Sequence, residues 1–205
     1  DKRPPMSQRK IALLGSTGSI GGQTLTVVRA LGLPVIGLGA LDEVEEVLGQ
    51  IREFRPRLAV LYDEEAASRL AEMARGLETE IASGPEGLVM LARLEEADTF
   101  VAASSGSAAL EATFEAVRSR KDVALANKEV LVAAGELLAK NVAENGVELL
   151  PIDSEHSAIW QCLGDQPRSD VVRLILTASG GPFLHRRDLE KVTPAEALRH
   201  PNWSM

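Results

Sequence analysis

Short unbroken apolar runs alternate along the chain with longer stretches in which apolar residues recur every three or four positions. "KIALLG" (10–15) reads as a buried strand, and "SIGGQTLTVVRAL" (19–31) as the helix that follows it. "PVIGLG" predicts a second strand. In "EVEEVLGQIREF" the apolar positions Val44, Val47, Leu48 and Ile51 lie three and four apart, the spacing of one helical face. "RLAVLY", "EIAS", "TFVAAS", "VALA", "VELLPI" and "VVRLILTAS" predict further strands, with helices such as "EEAASRLAEMARG" and "SAALEATFEAVRSR" between them.

This alternation predicts an α/β fold, a Rossmann-like doubly wound parallel sheet covered by helices on both faces. Right-handed crossovers then gather loops at the carboxyl ends of the strands, where ligands bind in such sheets. After about residue 152 the rhythm loosens, and a longer predicted strand, "VVRLILTAS", leads into "GGPFLHRRDLEKVTPAEALRHPNWSM". The expected organisation is a leader or tag-like tail over 1–9, a dinucleotide-binding domain over 10–152, and the first part of a second, α+β catalytic domain over 153–205.

Composition narrows the function classes. A formal charge of −8 argues against a nucleic-acid partner, which needs a basic stripe to neutralise phosphates. It leaves room for a small phosphorylated ligand. Cys162 is the single cysteine, so the sequence holds neither a disulfide framework nor a cysteine zinc cluster, which suits a reducing compartment. No apolar run is long enough to span a bilayer, and "DKRPPMSQRK" lacks the apolar centre of a signal peptide. The expectation is a cytoplasmic protein with no membrane partner.

Candidate chemistry begins at the first turn, "LLGSTGSIGG". Gly15, Gly18 and Gly21 are spaced three apart between a strand and a helix, a variant of the dinucleotide fingerprint. Glycine permits a tight turn and close approach to a pyrophosphate, and the free N–H groups of the helix start favour the anion. Ser16, Thr17 and Ser19 add hydroxyl donors. After the second strand stand Asp42 and Glu43. An acid there suits a ribose 2′-hydroxyl and NAD, although both acids also suit a helix N-terminus on dipole grounds alone.

Two further loops carry candidates. "VALANKEVLV" puts Asn127, Lys128 and Glu129 directly after a strand. Asn127 and Glu129 fit a helix start, whereas a lysine opposes the helix dipole there and points to a ligand. In "PIDSEHSAIW" Asp153 and Ser154 suit a cap and Glu155 a first helical turn. Asp153 and Glu155 are also two apart at a strand end, which lets both carboxylates face one hard cation such as Mg²⁺ or Mn²⁺. His156 reads as supporting or structural.

"GSTGSIG", "LANKE", "LLPIDSEHSAI", "SGGPF" and "TPAEALRHPNWSM" occur here in an order and at distances that resemble the 1-deoxy-D-xylulose 5-phosphate reductoisomerase family. The resemblance covers residues 10 to 205 and matches the family's amino-terminal half. It implies rearrangement and NADPH-dependent reduction of 1-deoxy-D-xylulose 5-phosphate to 2-C-methyl-D-erythritol 4-phosphate. A divalent metal assists, and the step belongs to non-mevalonate isoprenoid synthesis. By resemblance, Thr17, Gly18, Ser19 and Ile20 form the phosphate-binding turn. Asn127 and Glu129 are implied as cofactor contacts, and Asp153 and Glu155 as metal ligands. Lys128, Ser154, Glu155, Ser179, His200 and Trp203 are implied as substrate contacts. Lys128, Glu155 and His200 are the catalytic candidates, and Trp203 and Met205 would belong to a closing flap. The family also implies a homodimer.

Two departures stand out. Where the family commonly has a small residue, a basic residue and Asn after the second strand, this chain has Leu41, Asp42 and Glu43, which opens the use of NADH. The family's third metal carboxylate and much of its phosphate site follow "HPNWSM", so the piece by itself is expected to bind dinucleotide without turnover. Another two-domain NAD(P)-dependent dehydrogenase, or a non-catalytic dinucleotide-binding module, are the alternative readings.

Overall fold

The computed structural model describes residues 4–5, 8–177 and 181–199. Seven parallel strands form one sheet: β1 (Ile11–Leu14), β2 (Val35–Ala40), β3 (Leu58–Leu61), β4 (Glu80–Ser83), β5 (Thr99–Ala102), β6 (Asp122–Leu125) and β7 (Leu149–Pro151). Their order across the sheet is β4-β3-β2-β1-β5-β6-β7. The chain winds outward from β1 to one edge, then returns and winds from β5 to the other. β1 and β5 pair in register from Ile11 opposite Thr99 to Leu14 opposite Ala102. The topological switch therefore lies between β1 and β5, and the Rossmann-like α/β class expected from the alternation is the class observed.

The helices of this unit are α1 (Ser19–Leu31), α2 (Val44–Phe54), α3 (Glu64–Met73), α4 (Gly84–Arg93), α5 (Ala109–Arg118) and α6 (Lys128–Asn145). Successive strand residues point to opposite faces, so an unbroken apolar run feeds two cores. In β1, Ile11 and Leu13 pack with Leu25 and Val28 of α1, whereas Ala12 and Leu14 pack with Leu88 and Leu91 of α4 and with Phe100. Val44, Val47, Leu48 and Ile51 of α2 are all buried, against Ala59 and Leu61 of β3 and Leu70 of α3. Phe100 is fully buried at the sheet centre, where truncation to alanine costs about 3–5 kcal/mol.

Under the sheet's amino-terminal edge, Arg9 Nη1 lies 3.0 Å from Asp122 Oδ2, with both side chains largely buried. This joins the approach to β1 with the start of β6.

The chain divides into two compact units, Asp1–Asp153 and Ser154–Met205. The second contains α7 (Ser154–Leu163), a 3-10 turn over Arg168–Asp170 and α8 (Pro194–Ala197). Thr193 caps α8 in a reciprocal box with Glu196. The strand expected over "VVRLILTAS" is not formed across 171–177, and Ala178 and Ser179 lie outside the described residues. Strands persist by ladder hydrogen bonds to a neighbour, and among the described residues of this unit none pairs with the segment. Val172 is fully exposed and Leu174, Ile175 and Leu176 largely so. High strand propensity here lacks the partner that would use it. Among the described residues, no helix is long and apolar enough to cross a membrane.

Candidate functional site

A cleft of about 360 Å³ opens at the carboxyl ends of the strands, over the switch between β1 and β5. Its floor is the β1–α1 turn, where Gly15, Thr17, Gly18, Ser19 and Ile20 line it. Leu41 and Glu43 after β2, Tyr62 after β3, and Ser104 and Ser105 after β5 form its sides.

The three glycines have different reasons. Gly15 sits at φ +87°, and a Cβ there would lie 2.4 Å from the Ser104 nitrogen, so the turn and the neighbouring loop both require glycine. At Gly21 a Cβ would meet the Gly15 carbonyl oxygen at 1.9 Å, so this residue lets α1 pack onto the turn. Gly18 differs. A Cβ there would meet only the Gly15 and Ala103 oxygens, at 3.5 and 3.9 Å, which is ordinary contact. Nothing in the protein needs Gly18 bare. A ligand approaching its backbone would.

The start of α1 is also undressed. Gly18 is its N-cap and provides no side-chain acceptor, and its first turn holds no acid. By contrast, α2 carries Glu45 and Glu46 in its first turn, while Asp63 caps α3 by accepting from Ala66 N–H at 2.7 Å. Leading N–H groups and the positive end of the dipole are left for an external anion. These residues fit a dinucleotide pyrophosphate.

Ser16 does not serve as a donor in the cleft, contrary to the reading of its hydroxyl with those of Thr17 and Ser19. The turn at Gly15 directs Ser16 inward, where it is fully buried and its Oγ has no hydrogen-bond partner. Its carbonyl accepts from Gln50 Nε2 of α2 at 3.2 Å.

At the end of β2 the two acids part company. Glu43 lines the cleft and Asp42 does not. Glu43 occupies the N-cap position of α2, yet its side chain makes no capping bond. Its Oε2 instead accepts from the Thr17 hydroxyl at 3.1 Å and from Asp42 N–H at 3.2 Å. Partial burial works to raise its pKa, but hydrogen bonds from the backbone around Asp42 and from Thr17 outweigh it and hold the carboxyl below its ordinary value.

Asn127, Lys128 and Glu129 stand after β6 on the same edge, but none of them lines the cleft. Asn127 is buried and caps α6, accepting from Val130 N–H at 3.2 Å. Its amide also donates to the carbonyls of Ser104 at 2.7 Å and Gly106 at 2.8 Å. It therefore fixes the loop after β5 that forms one wall of the cleft. Lys128 and Glu129, in the first turn of α6, are exposed.

Asp153 closes the first unit, half-buried, and Ser154 opens α7 in the second. Within α7, the Ser154 hydroxyl donates to Glu155 Oε2 at 2.9 Å. Among the described residues no group of three or more His, Cys, Asp or Glu side chains converges to hold a metal. Ser179, His200, Trp203 and Met205 lie outside the described residues.

Sequence reasoning missed Tyr62, Ser104, Ser105 and Ala108, which line the cleft without any motif. Their signal was positional: Tyr62 and Ser104 end predicted strands, and Ser105 and Ala108 follow one, at the ligand-binding edge. A larger hollow of about 740 Å³ lies at the opposite edge, lined by long side chains such as Arg52, Arg55 and Arg57. It is on the side of a parallel sheet that ligands do not use.

Comparison with known proteins gives a consistent picture. The family model for 1-deoxy-D-xylulose 5-phosphate reductoisomerase matches residues 11–135, and that for the C-terminal domain of the same enzyme matches 149–205. The chain is 52% identical over 203 residues to the 1-deoxy-D-xylulose 5-phosphate reductoisomerase of Heliobacterium modesticaldum, covering 96% of this chain and 52% of that protein. The enzyme of Desulfitobacterium hafniense is 48% identical, with the same coverage of 96% and 52%. Among solved structures, the Zymomonas mobilis reductoisomerase in complex with NADPH superposes with a TM-score of 0.87 at 42% identity, covering 95% of this chain and 52% of that one. A second reductoisomerase, in complex with NADPH, fosmidomycin and magnesium, gives 0.83 at 38% identity, covering 96% and 52%. The chain spans about half the length of the curated relatives it matches. With both family models matched in order along it, the chain belongs to the 1-deoxy-D-xylulose 5-phosphate reductoisomerase family.

Proposed function

We propose that this chain forms the dinucleotide-binding portion, and the opening of the catalytic portion, of an enzyme that converts 1-deoxy-D-xylulose 5-phosphate to 2-C-methyl-D-erythritol 4-phosphate. The reductant is a reduced nicotinamide dinucleotide, NADPH in the solved complexes of the relatives, and a divalent ion, Mg²⁺ as in one of those complexes or Mn²⁺, assists. The observation that carries the reading is the undressed start of α1, with Gly18 bare toward a cleft at the β1/β5 switch.

When bound, the nicotinamide supplies a hydride, and the metal supplies Lewis-acid polarisation of substrate oxygens. The chain's own residues bind and orient. Thr17, Gly18, Ser19 and Ile20 hold the pyrophosphate through backbone N–H groups and the Ser19 hydroxyl, the Thr17 hydroxyl being given to Glu43. Asn127 and Glu129 are cofactor contacts by the family motif, and Asn127 also holds the loop after β5 through its amide. Lys128 meets the substrate near the nicotinamide. Asp153 and Glu155, two apart in sequence, are hard carboxylate ligands suited to Mg²⁺ or Mn²⁺, with further ligands supplied from outside the described residues. Ser154, Ser179, His200 and Trp203 complete the substrate contacts, with Lys128, Glu155 and His200 as catalytic residues, and Trp203 with Met205 forms the flap; these assignments rest on the family motifs. Residues 10–152 form the dinucleotide-binding domain and 153–205 the first part of the catalytic domain. The protein acts in the cytoplasm as a homodimer, without nucleic-acid or membrane partners.

By itself, the 205-residue chain binds dinucleotide and does not turn over substrate. Incubation with 1-deoxy-D-xylulose 5-phosphate, NADPH and Mg²⁺ should leave nicotinamide absorbance unchanged. Formation of the methylerythritol product by the chain alone would refute this part of the reading.

A further inference from the structure

Glu43 is the one acid of the β2–α2 turn that lines the cleft. Its carboxylate is not used to cap α2, although Glu43 stands at the N-cap. The Thr17 hydroxyl, in the phosphate-binding turn itself, holds it in place at 3.1 Å, together with Asp42 N–H at 3.2 Å. A negative charge is thereby fixed beside the turn that would carry the pyrophosphate, at the end of the second strand. In sheets of this kind that position faces the adenosine ribose. Among the described residues, the side chains lining the cleft include no lysine or arginine to offset the charge.

From this we infer that Glu43 is a specificity-determining residue that accepts a hydrogen bond from a ribose 2′-hydroxyl and repels a 2′-phosphate, so that this chain binds NADH at least as tightly as NADPH. The inference rests on the dinucleotide reading of the cleft and refines it for this chain. The sign follows from charge. A carboxylate suits a hydroxyl donor, whereas against a phosphate it places two anions together with no cation between them. Hydrogen bonds that keep the carboxyl ionised maintain this discrimination at neutral pH.

The test is titration of the full chain with NADH and with NADPH, followed by nicotinamide fluorescence, for the native protein and for Glu43→Gln. Glutamine keeps an oxygen to accept from Thr17, removes the charge and puts an amide donor in place of the second oxygen. The native chain should bind NADH as tightly as NADPH or more so, and Glu43→Gln should tighten NADPH by about ten-fold and weaken NADH by about three-fold, since the 2′-hydroxyl loses a charged acceptor. Added salt should shift the native preference toward NADPH, because it screens the repulsion. NADPH bound about ten-fold tighter than NADH by the native chain, or an unchanged ratio in Glu43→Gln, would overturn the inference and leave the dinucleotide reading standing. Binding of neither dinucleotide would overturn both.

Discussion

The Asn127 amide donates to the Ser104 carbonyl at 2.7 Å, tying the first turn of α6 to the loop that follows β5. The same side chain donates to Gly106 and caps the helix through Val130 N–H, so one buried residue joins the end of β6 to a wall of the cleft. Asn127→Ala removes the cap and leaves two carbonyls without this donor. It should lower stability by about 2 kcal/mol in urea unfolding. Dinucleotide affinity should fall as well, because the loop through Ser105 loses its tether. Unchanged affinity in a destabilised chain would confine Asn127 to capping.

Gly18 and Gly21 should separate binding from folding. A Cβ at Gly21 would lie 1.9 Å from the Gly15 oxygen, so Gly21→Ala forces α1 off the turn and should cost about 1–3 kcal/mol or more. A Cβ at Gly18 meets only ordinary contacts, so Gly18→Ala should cost no more than about 1 kcal/mol, the difference between these residues at an N-cap. Thermal unfolding of both variants, set beside dinucleotide titration, checks the contrast. A Gly18→Ala chain that binds like the native one would remove the reason for glycine there.

Arg9 and Asp122 form an ion pair with both side chains largely withdrawn from water. Arg9→Met removes the Arg9 guanidinium from the Asp122 carboxylate and should destabilise the first unit by about 3 kcal/mol, as removal of one member of a buried pair does. Chemical denaturation measures it. A loss below about 0.5 kcal/mol would class the pair with solvated surface bridges.

Glu196 titrates far from the ordinary carboxylate range. The Thr193 backbone N–H, the Arg186 guanidinium and the Thr193 hydroxyl all favour its charged form and bring its pKa down to about 2. A folded-state pKa below the unfolded one means that the contribution to stability is present above the ordinary value and is lost as pH falls toward 2. An NMR titration of the Glu196 side chain should find its midpoint near 2, and Arg186→Gln should raise it. A native midpoint near the ordinary 4.5 would show that the box around α8 does not hold the carboxylate.

Much of this was legible because a parallel sheet leaves a strong trace. Strands buried on both faces, such as β1 and β3, read as uninterrupted apolar runs, and the face of α2 reads as three-and-four spacing. The glycine turn was legible for the same local reason. What could not be read depends on contacts distant in sequence. Adjacent acids Asp42 and Glu43 look equivalent until the backbone at the end of β2 turns one toward Thr17. Asn127 reads as a cap, yet its tie to Ser104 spans 23 positions. Residues 171–177 have the composition of a strand but lack a pairing neighbour among the described residues, and propensity does not report partners.

The cleft over the β1/β5 switch is proposed to bind a nicotinamide dinucleotide through the bare start of α1. Isothermal titration of the 205-residue chain with NADH and NADPH tests it most directly. Saturable binding at one site per chain is expected, weakened by about ten-fold or more in a folded Gly18→Ala variant. Absence of binding heat with both dinucleotides, or equal binding by Gly18→Ala, would contradict it.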